Sequence, residues 1–313
     1  MFRTEILVKE NIHLLQDLYL DAFNQKRSIN EIENKFDTER LGYGYVSFLV
    51  FTIETNELAG FYGVFPNSFY YNGKKHLCAQ IGDLMTHSKF RRKGVFEFVA
   101  KETHNYLKDI GFKFIFTFPA NGASSYFGFV NKLNFKEKKI NSYSIVINTL
   151  PLSRFFLKSK ITEKIYYLYF DIISRFFLKN DFDTYSIVEN RNSIIHNDFL
   201  IDYKSKLSPI NYFIKDTLGK GFVKVDRDGG LSIGFLDVKN NSEFKLLMNK
   251  LKKMCGILGI RYIHFEISEN NFLDVFLSEI SIKNQLYRIC YKELDDTIDV
   301  SNIEFDFIDI DSY

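Results

Sequence analysis

The sequence has no tryptophan, only four prolines and only three cysteines in 313 residues. Cys78, Cys255 and Cys290 are odd in number and far apart, which excludes the disulfide framework of a small secreted domain. Long hydrophobic runs are also missing: charge interrupts every apolar stretch well before the roughly 18 residues that a membrane span needs. Nor is there an excess of one charge. The 41 basic and 39 acidic residues are interspersed and leave a net charge of +2, so no broad basic field for nucleic acid is present. The opening MFRTEILVKE lacks the apolar core of a secretory signal. These absences lead to the expectation of a soluble protein in a reducing cytoplasm, with no nucleic-acid partner.

What is present is the material of two cores. With 46% hydrophobic and 26% charged residues the chain is globular in composition, and its length suits two domains. A strand is expected at 2–8 and an amphipathic helix at 11–23, opened by an Asn11 cap with Ile12, Leu15, Leu18, Tyr19 and Phe23 three and four residues apart. A short helix follows at 29–36. Runs at 45–52 and 58–65 form strands across the polar break 54–57, and Tyr71-Asn72-Gly73-Lys74 writes a tight hairpin turn. The strand 76–86 runs into Arg91-Arg92-Lys93-Gly94, then a helix from Val95 to Ile110 closed by Gly111. A short apolar strand at 112–118, a short helix ending near Leu133 and strands at 135–147 complete this half.

From 150 to 179 two basic and aromatic helical segments appear, with Arg154, Lys158, Lys160, Lys164, Arg175 and Lys179 around Phe155, Phe156, Ile165, Leu168, Ile172 and Phe176. They suit a connecting helical hairpin or peripheral contact with a membrane surface by residues 151–179. Beyond them, strands at 221–226 and 231–238, a helix at 242–258, a strand at 262–267, a helix at 270–280 and a strand at 285–294 repeat the order met from 76 to 147. Leu107 to Ile115 and Cys255 to Ile263 even match in wording, pointing to a diverged internal duplication. The expected domains are 1–149, a connector at 150–185, and 186–313. Lys239-Asn240-Asn241-Ser242 replaces the basic glycine turn in the second half, which is therefore expected to have lost ligand binding. Leu218-Gly219-Lys220-Gly221 precedes a strand and is read as a turn. The alternating carboxylates of 304–311 read as an edge strand, without the spacing of a metal loop, and no metal site is expected.

One feature carries chemistry. Phosphate is held well where several N–H groups converge at a helix start, because unsatisfied donors and the helix dipole both favour an anion. The stretch from Thr86 to Phe96 has that design: a strand end, a polar turn, three cations, and Gly94 at the helix start, with no Cβ to obstruct the approach.

Residues 85–94, MTHSKFRRKG, resemble the acetyl-CoA signature of the GNAT N-acetyltransferase superfamily, with Arg91 in its first position and Gly94 in its glycine position. Phe96 stands where the family has a small residue. The following strand, Asn121, the short helix and Asn134-Phe135 in place of Gly-Phe extend the likeness over the first half. The resemblance implies an α/β (α+β) fold of two GNAT-like domains, each a mixed, mostly antiparallel twisted sheet flanked by helices, the second degenerate and shaping the acceptor site. It implies acetyl-CoA as co-substrate, direct attack by a neutral amine, and a gap between the fourth and fifth strands that admits the cofactor. Backbone groups of Leu84, Met85 and Thr86 would hold the pantetheine arm. Arg91, Arg92, Lys93, Gly94, Val95 and Phe96 would cradle the pyrophosphate, with Asn121 and Ser124 also touching the cofactor.

A general base is required. Asp83 is the first candidate, or else a carboxylate paired with a neighbouring lysine; His87 is the second, or else a solvent-exposed side chain. The family's thiolate-protonating Tyr falls on Val130 here, so Tyr126 is the substitute, or else packs in the core with Phe127 and Phe129. The acceptor is read as a small amine, with an amino sugar or sugar nucleotide first, because the chain resembles tandem members among bacterial surface-polysaccharide enzymes. Two readings of other classes stand beside it: an acyl-CoA-binding sensor without turnover, and an aminoacyl-tRNA-dependent transferase with twin GNAT-like domains.

Overall fold

A computed structural model describes residues 1–41, 43–119, 124–178, 191–196, 198–205, 211–283 and 287–309. In chain order the elements are β1 (Phe2–Ile6), α1 (Leu15–Phe23), α2 (Ile29–Phe36), β2 (Phe48–Thr52), β3 (Leu58–Tyr71), β4 (Lys74–Thr86), α3 (Val95–Asp109), β5 (Phe112–Thr117), α4 (Ser124–Phe127) and β6 (Lys136–Val146). They continue with α5 (Leu152–Phe156), α6 (Lys160–Phe177), β7 (Ser193–Ile194), α7 (Asp198–Ser205), β8 (Asn211–Asp216), β9 (Gly219–Val225) and β10 (Leu231–Val238). The last are α8 (Asn241–Leu258), β11 (Tyr262–Ser268), α9 (Leu273–Ile280), β12 (Ile282–Lys283) and β13 (Tyr287–Glu293). Two compact units result. One comprises Met1–Lys138, Asn190–Leu207 and Arg288–Ile303, the other Lys139–Glu189, Ser208–Tyr287 and Glu304–Tyr313.

In the first unit β1, β2, β3 and β4 form an antiparallel meander, β5 joins β4 in parallel, and β13 joins β5 antiparallel. Strand alternation sends side chains to two faces. Phe48, Val50, Tyr62 and Val64 pack with Val95, Val99 and Leu107 of α3. Leu49, Phe51, Phe61 and Phe65 pack with Leu15, Leu18, Ile32 and Phe36 of α1 and α2. A layered sheet with helices on both faces follows directly from that two-residue period.

The second unit is built on β6, β11, β10, β9 and β8, antiparallel except for the β10–β11 pair. One face is closed by α8, whose Phe244, Leu247, Met248, Leu251, Met254, Cys255 and Leu258 recur every three or four residues and are all buried. Tyr166 and Phe170 of α6 and Leu273 and Leu277 of α9 join that core.

Several elements differ from their sequence reading for physical reasons. Asn11 does not cap a helix: its side chain accepts from Val8 N (2.8 Å) and donates to Ile6 O (3.1 Å), and α1 begins only at Leu15 after a 3-10 turn. The cap that was missed is Ser28, which forms a reciprocal box with Glu31 at the start of α2. The strand at the end of the second half, β13, pairs with β5 of the first unit, with Cys290 opposite Thr117 and Tyr291 opposite Phe116. Correspondingly β6 pairs with β11 of the second unit from Lys139 onward, Ile145 facing Ile263. The acidic stretch near the end makes isolated bridges, Ile267 to Asp306 among them, followed by the 3-10 turn Phe307–Asp309, rather than an edge strand. Residues 310 and 311 lie outside the described residues.

Candidate functional site

The site begins with a defect in a strand pair. Along β3 and β4 the register is regular from Tyr71 opposite Lys74 to Gly63 opposite Gly82, but Phe61 then faces Met85, so Tyr62 stands against both Asp83 and Leu84. This is a β-bulge, and Asp83 takes the left-handed conformation at φ 48° that Asp tolerates better than branched residues do. On the other side of β4, pairing with β5 ends at Gln80 opposite Phe116. From Ile81 to Thr86 the strand is therefore paired to β3 alone among the described residues, and a wedge opens beside its backbone.

The chain leaving β4 is pinned before it turns into α3. Ser88 donates both its backbone N–H (2.7 Å) and its hydroxyl (2.6 Å) to the Asp21 carboxylate on α1. Phe90 is buried, and Lys93 Nζ stands 5.3 Å from the centre of its ring. Arg92 (φ 62°) and Gly94 (φ 80°) then take successive left-handed conformations. Gly94 is the N-cap residue of α3, no side chain caps the helix, and nothing lies within 4 Å of where a Cβ on Gly94 would be. The first N–H groups of α3 are thus left for an outside acceptor, beneath the exposed Arg91, Arg92 and Lys93. The matching helix of the second unit is closed: Asn240 Oδ1 accepts from Glu243 N (3.0 Å), and Glu243 Oε2 accepts from Lys239 N (3.1 Å).

Between the wedge, the start of α3 and α4 lies a cleft of about 380 Å³. Leu84, Met85 and Thr86 line it from β4, Phe96 and Val99 from α3, and Phe61 from β3. Its remaining wall is Ser125, Phe127, Gly128, Asn131 and Lys132, supplied by α4 and the π-helical turn Gly128–Lys132 that continues it. This wall was missed in the sequence, although Ser125, Gly128 and Lys132 stand at helical spacing on one face. Phe96 meets Phe129 edge-on at 5.5 Å and leans over Gly128.

The residues singled out from the sequence are thus distributed as follows. Leu84, Met85, Thr86 and Phe96 line the cleft; Arg91, Arg92, Lys93, Gly94 and the buried Val95 make the turn at its helix end. Ser124 opens α4, and Asn121 lies outside the described residues. Asp83 does not line the cleft: its carboxylate takes a hydrogen bond from the Tyr19 hydroxyl and an ion pair from Lys35 (2.8 Å), on the α1 and α2 side. The His87 ring accepts from Lys89 N (3.2 Å) and stands 4.0 Å from Asp21. Tyr126 donates its hydroxyl to Glu137 (2.7 Å), which Arg288 also binds (2.8 Å). That hydrogen bond to Glu137 is the main cause holding the Tyr126 hydroxyl above the usual phenol range. Beside the bulge, Tyr62 and His104 share a buried hydrogen bond of 2.9 Å. Burial first, and the charge of Lys292 second, push the His104 imidazole down to about 3, so it is neutral at ordinary pH.

The donor set fits a nucleotide-bearing thioester. An uncapped helix start with adjacent cations suits a pyrophosphate, a strand edge without a second partner suits the amides of a pantetheine arm, and the largely apolar cleft suits a small acyl group. Comparison with known proteins agrees with that chemistry. Residues 6–135 match the acetyltransferase (GNAT) domain. No curated protein matches the chain. Among solved structures it is similar to a GCN5-related N-acetyltransferase from Kribbella flavida (TM-score 0.62, 12% identity, covering 94% of this chain and 72% of that one). It is also similar to one from Anabaena variabilis (TM-score 0.60, 13% identity, 94% and 73%). A third likeness is a conserved protein from Enterococcus faecalis (TM-score 0.64, 15% identity, 94% and 73%). At such identities these structures bear on the fold, and they do so over both units.

Proposed function

We propose that this chain, whose residues 6–135 match the acetyltransferase (GNAT) domain, moves an acetyl group from acetyl-CoA to the primary amine of a small acceptor, an amino sugar or sugar nucleotide before others. The observation that carries this is the open start of α3: Gly94 at φ 80° with free space beside it, no side-chain cap, and three exposed cations in the turn that leads into it.

In this reading the N–H groups of the first turn of α3, with Arg91, Arg92 and Lys93, bind the pyrophosphate. The backbone of Leu84, Met85 and Thr86, paired to β3 on one side and left open on the other by the departure of β5, holds the pantetheine amides. Bound acetyl-CoA supplies an electrophilic thioester carbonyl. The neutral acceptor amine forms a C–N bond there, the C–S bond breaks, and the amine proton must be taken up. Asp83 is assigned that proton, relayed through water because its carboxylate lies outside the cleft. It precedes Leu84 at the bulge, and the Tyr19 hydroxyl and the Lys35 ammonium fix its orientation. Solvent returns a proton to the thiolate, because Tyr126 spends its hydroxyl on Glu137.

A second reading has its own support. Asp83, His87 and Tyr126 are each engaged by a protein partner, which favours a chain that binds acyl-CoA as a signal and does not turn it over. Thiol release from acetyl-CoA in the presence of amino sugars, sugar nucleotides, polyamines and peptides separates the two. Release that depends on one acceptor class supports transfer, whereas tight binding with no release from any amine supports sensing.

A further inference from the structure

Helix α6 has two apolar faces, and only one of them is used. Tyr166 and Phe170 are buried in the core of the second unit, with Ile173 and Phe177 packed against it. Ile161, Ile165, Leu168, Ile172 and Phe176, spaced four, three, four and four residues apart, form a separate stripe along the helix. Every one of them is exposed, Ile161 at 77%, Leu168 at 62% and Phe176 at 84%. An ordinary surface helix carries polar residues there. Phe155 on α5, 61% exposed, adds a further ring in the adjoining turn.

The charges around the stripe are of one dominant sign. Lys160, Lys164 and Arg175 fall along one edge by helical spacing, and Arg154 and Lys158 precede α6. The acidic residues of α6 are Glu163 and Asp171, and Asp171 pairs with Arg175 at 2.8 Å. Among the described residues no ion pair engages Lys158, Lys160 or Lys164. An exposed apolar stripe edged with cations, of which only Arg175 has an ion-pair partner on the helix, is complementary to a surface that offers both hydrocarbon and negative charge.

We propose that this face of α6 binds the surface of an anionic phospholipid bilayer, lying in the interface with the stripe inserted among the acyl chains and the cations on the lipid phosphates. No described helix is long and apolar enough to cross a membrane, so the contact is peripheral. A second copy of the chain is a poorer occupant, because an antiparallel two-fold contact along the stripe brings the same row of cations against itself. The proposal concerns the second unit alone and stands apart from the acyl-transfer reading of the first.

The absence of tryptophan from the chain makes the test direct. A single Phe176→Trp reporter in the full chain is titrated with vesicles of phosphatidylcholine, with and without phosphatidylglycerol, beside an Ile53→Trp control on the first unit. The expected result is a blue shift of the Phe176→Trp emission on phosphatidylglycerol vesicles only, no shift of the control, and loss of the signal at high salt. Leu168→Asp with Ile172→Asp should abolish the shift. Lys160→Gln with Lys164→Gln, which leaves the apolar stripe intact, should weaken binding at least about tenfold. No shift of the reporter, or a shift indifferent to lipid charge and to the lysine changes, overturns the proposal. So does a dimer in sedimentation that Leu168→Asp dissociates, because the stripe then belongs to a second copy.

Discussion

A Cβ placed on Gly128 would lie 2.7 Å from a carbon of the Phe96 ring. Phe96, which stands where the signature has a small residue, faces Gly128, which has no side chain. The Phe96 ring must shift to admit that Cβ and would give up its edge-on contact with Phe129. Gly128→Ala is therefore expected to cost about 1–3 kcal/mol in urea unfolding. In a Phe96→Ala background the same change should be neutral or stabilising by up to about 1 kcal/mol, since alanine is the better helix former. Equal costs in the two backgrounds would show that the residues are not coupled.

The ion pair between Lys35 and Asp83 separates catalysis from structure. If Asp83 accepts the amine proton, Asp83→Asn lowers kcat by about a hundredfold or more while acetyl-CoA binding is retained. Lys35→Met, which frees the carboxylate, leaves kcat within a few fold. A purely structural pair behaves otherwise: both changes lower the melting temperature together and neither moves kcat selectively. Stopped-time product assays beside thermal melts decide between these patterns.

How much of this was legible in the sequence depended on how local each feature is. The turn from Arg91 to Gly94 could be read because strand, cations, glycine and helix are consecutive. Helices α3 and α8 declared themselves by periodicity. The bulge at Asp83 did not, because two residues of β4 oppose one of β3 only once the register is set from the distant hairpin at Asn72-Gly73. The partner of β13 was equally hidden, since Cys290 meets Thr117 across most of the chain. The fit of Phe96 to Gly128 is a tertiary contact with no sequence spacing to announce it. Asn11 has the composition of a cap, but its amide satisfies the backbone of the preceding strand end instead.

The second unit carries a charge that opposes folding at neutral pH. Burial, reinforced by Asp226 and partly offset by Lys224, pushes the Glu266 carboxyl up to about 7 from 4.5. Its folded form holds a proton that the unfolded chain releases, so its contribution to stability falls as pH rises from about 4.5 through about 7 and stays low above that. Glu266→Gln should stabilise the chain at pH 8 by on the order of 2–3 kcal/mol and give no gain near pH 4. His104, held down to about 3, works in the other direction, its contribution being lost as pH falls from 6.5 through about 3. It is common to both proteins and cancels in their difference. Urea unfolding of the pair at pH 4, 6 and 8 measures it.

Whether the open start of α3 holds a pyrophosphate is measured most directly by calorimetric titration of the full chain with acetyl-CoA. The expected result is one site per chain with a Kd of roughly micromolar order. Arg91→Ala with Arg92→Ala, both exposed and neither in the core, should weaken it by at least about tenfold with an unchanged melting temperature. Gly94→Val, which forces a branched residue to φ 80° in the space an anion would enter, should remove it. No heat of binding at millimolar acetyl-CoA, or the same affinity in both variants, would contradict the assignment.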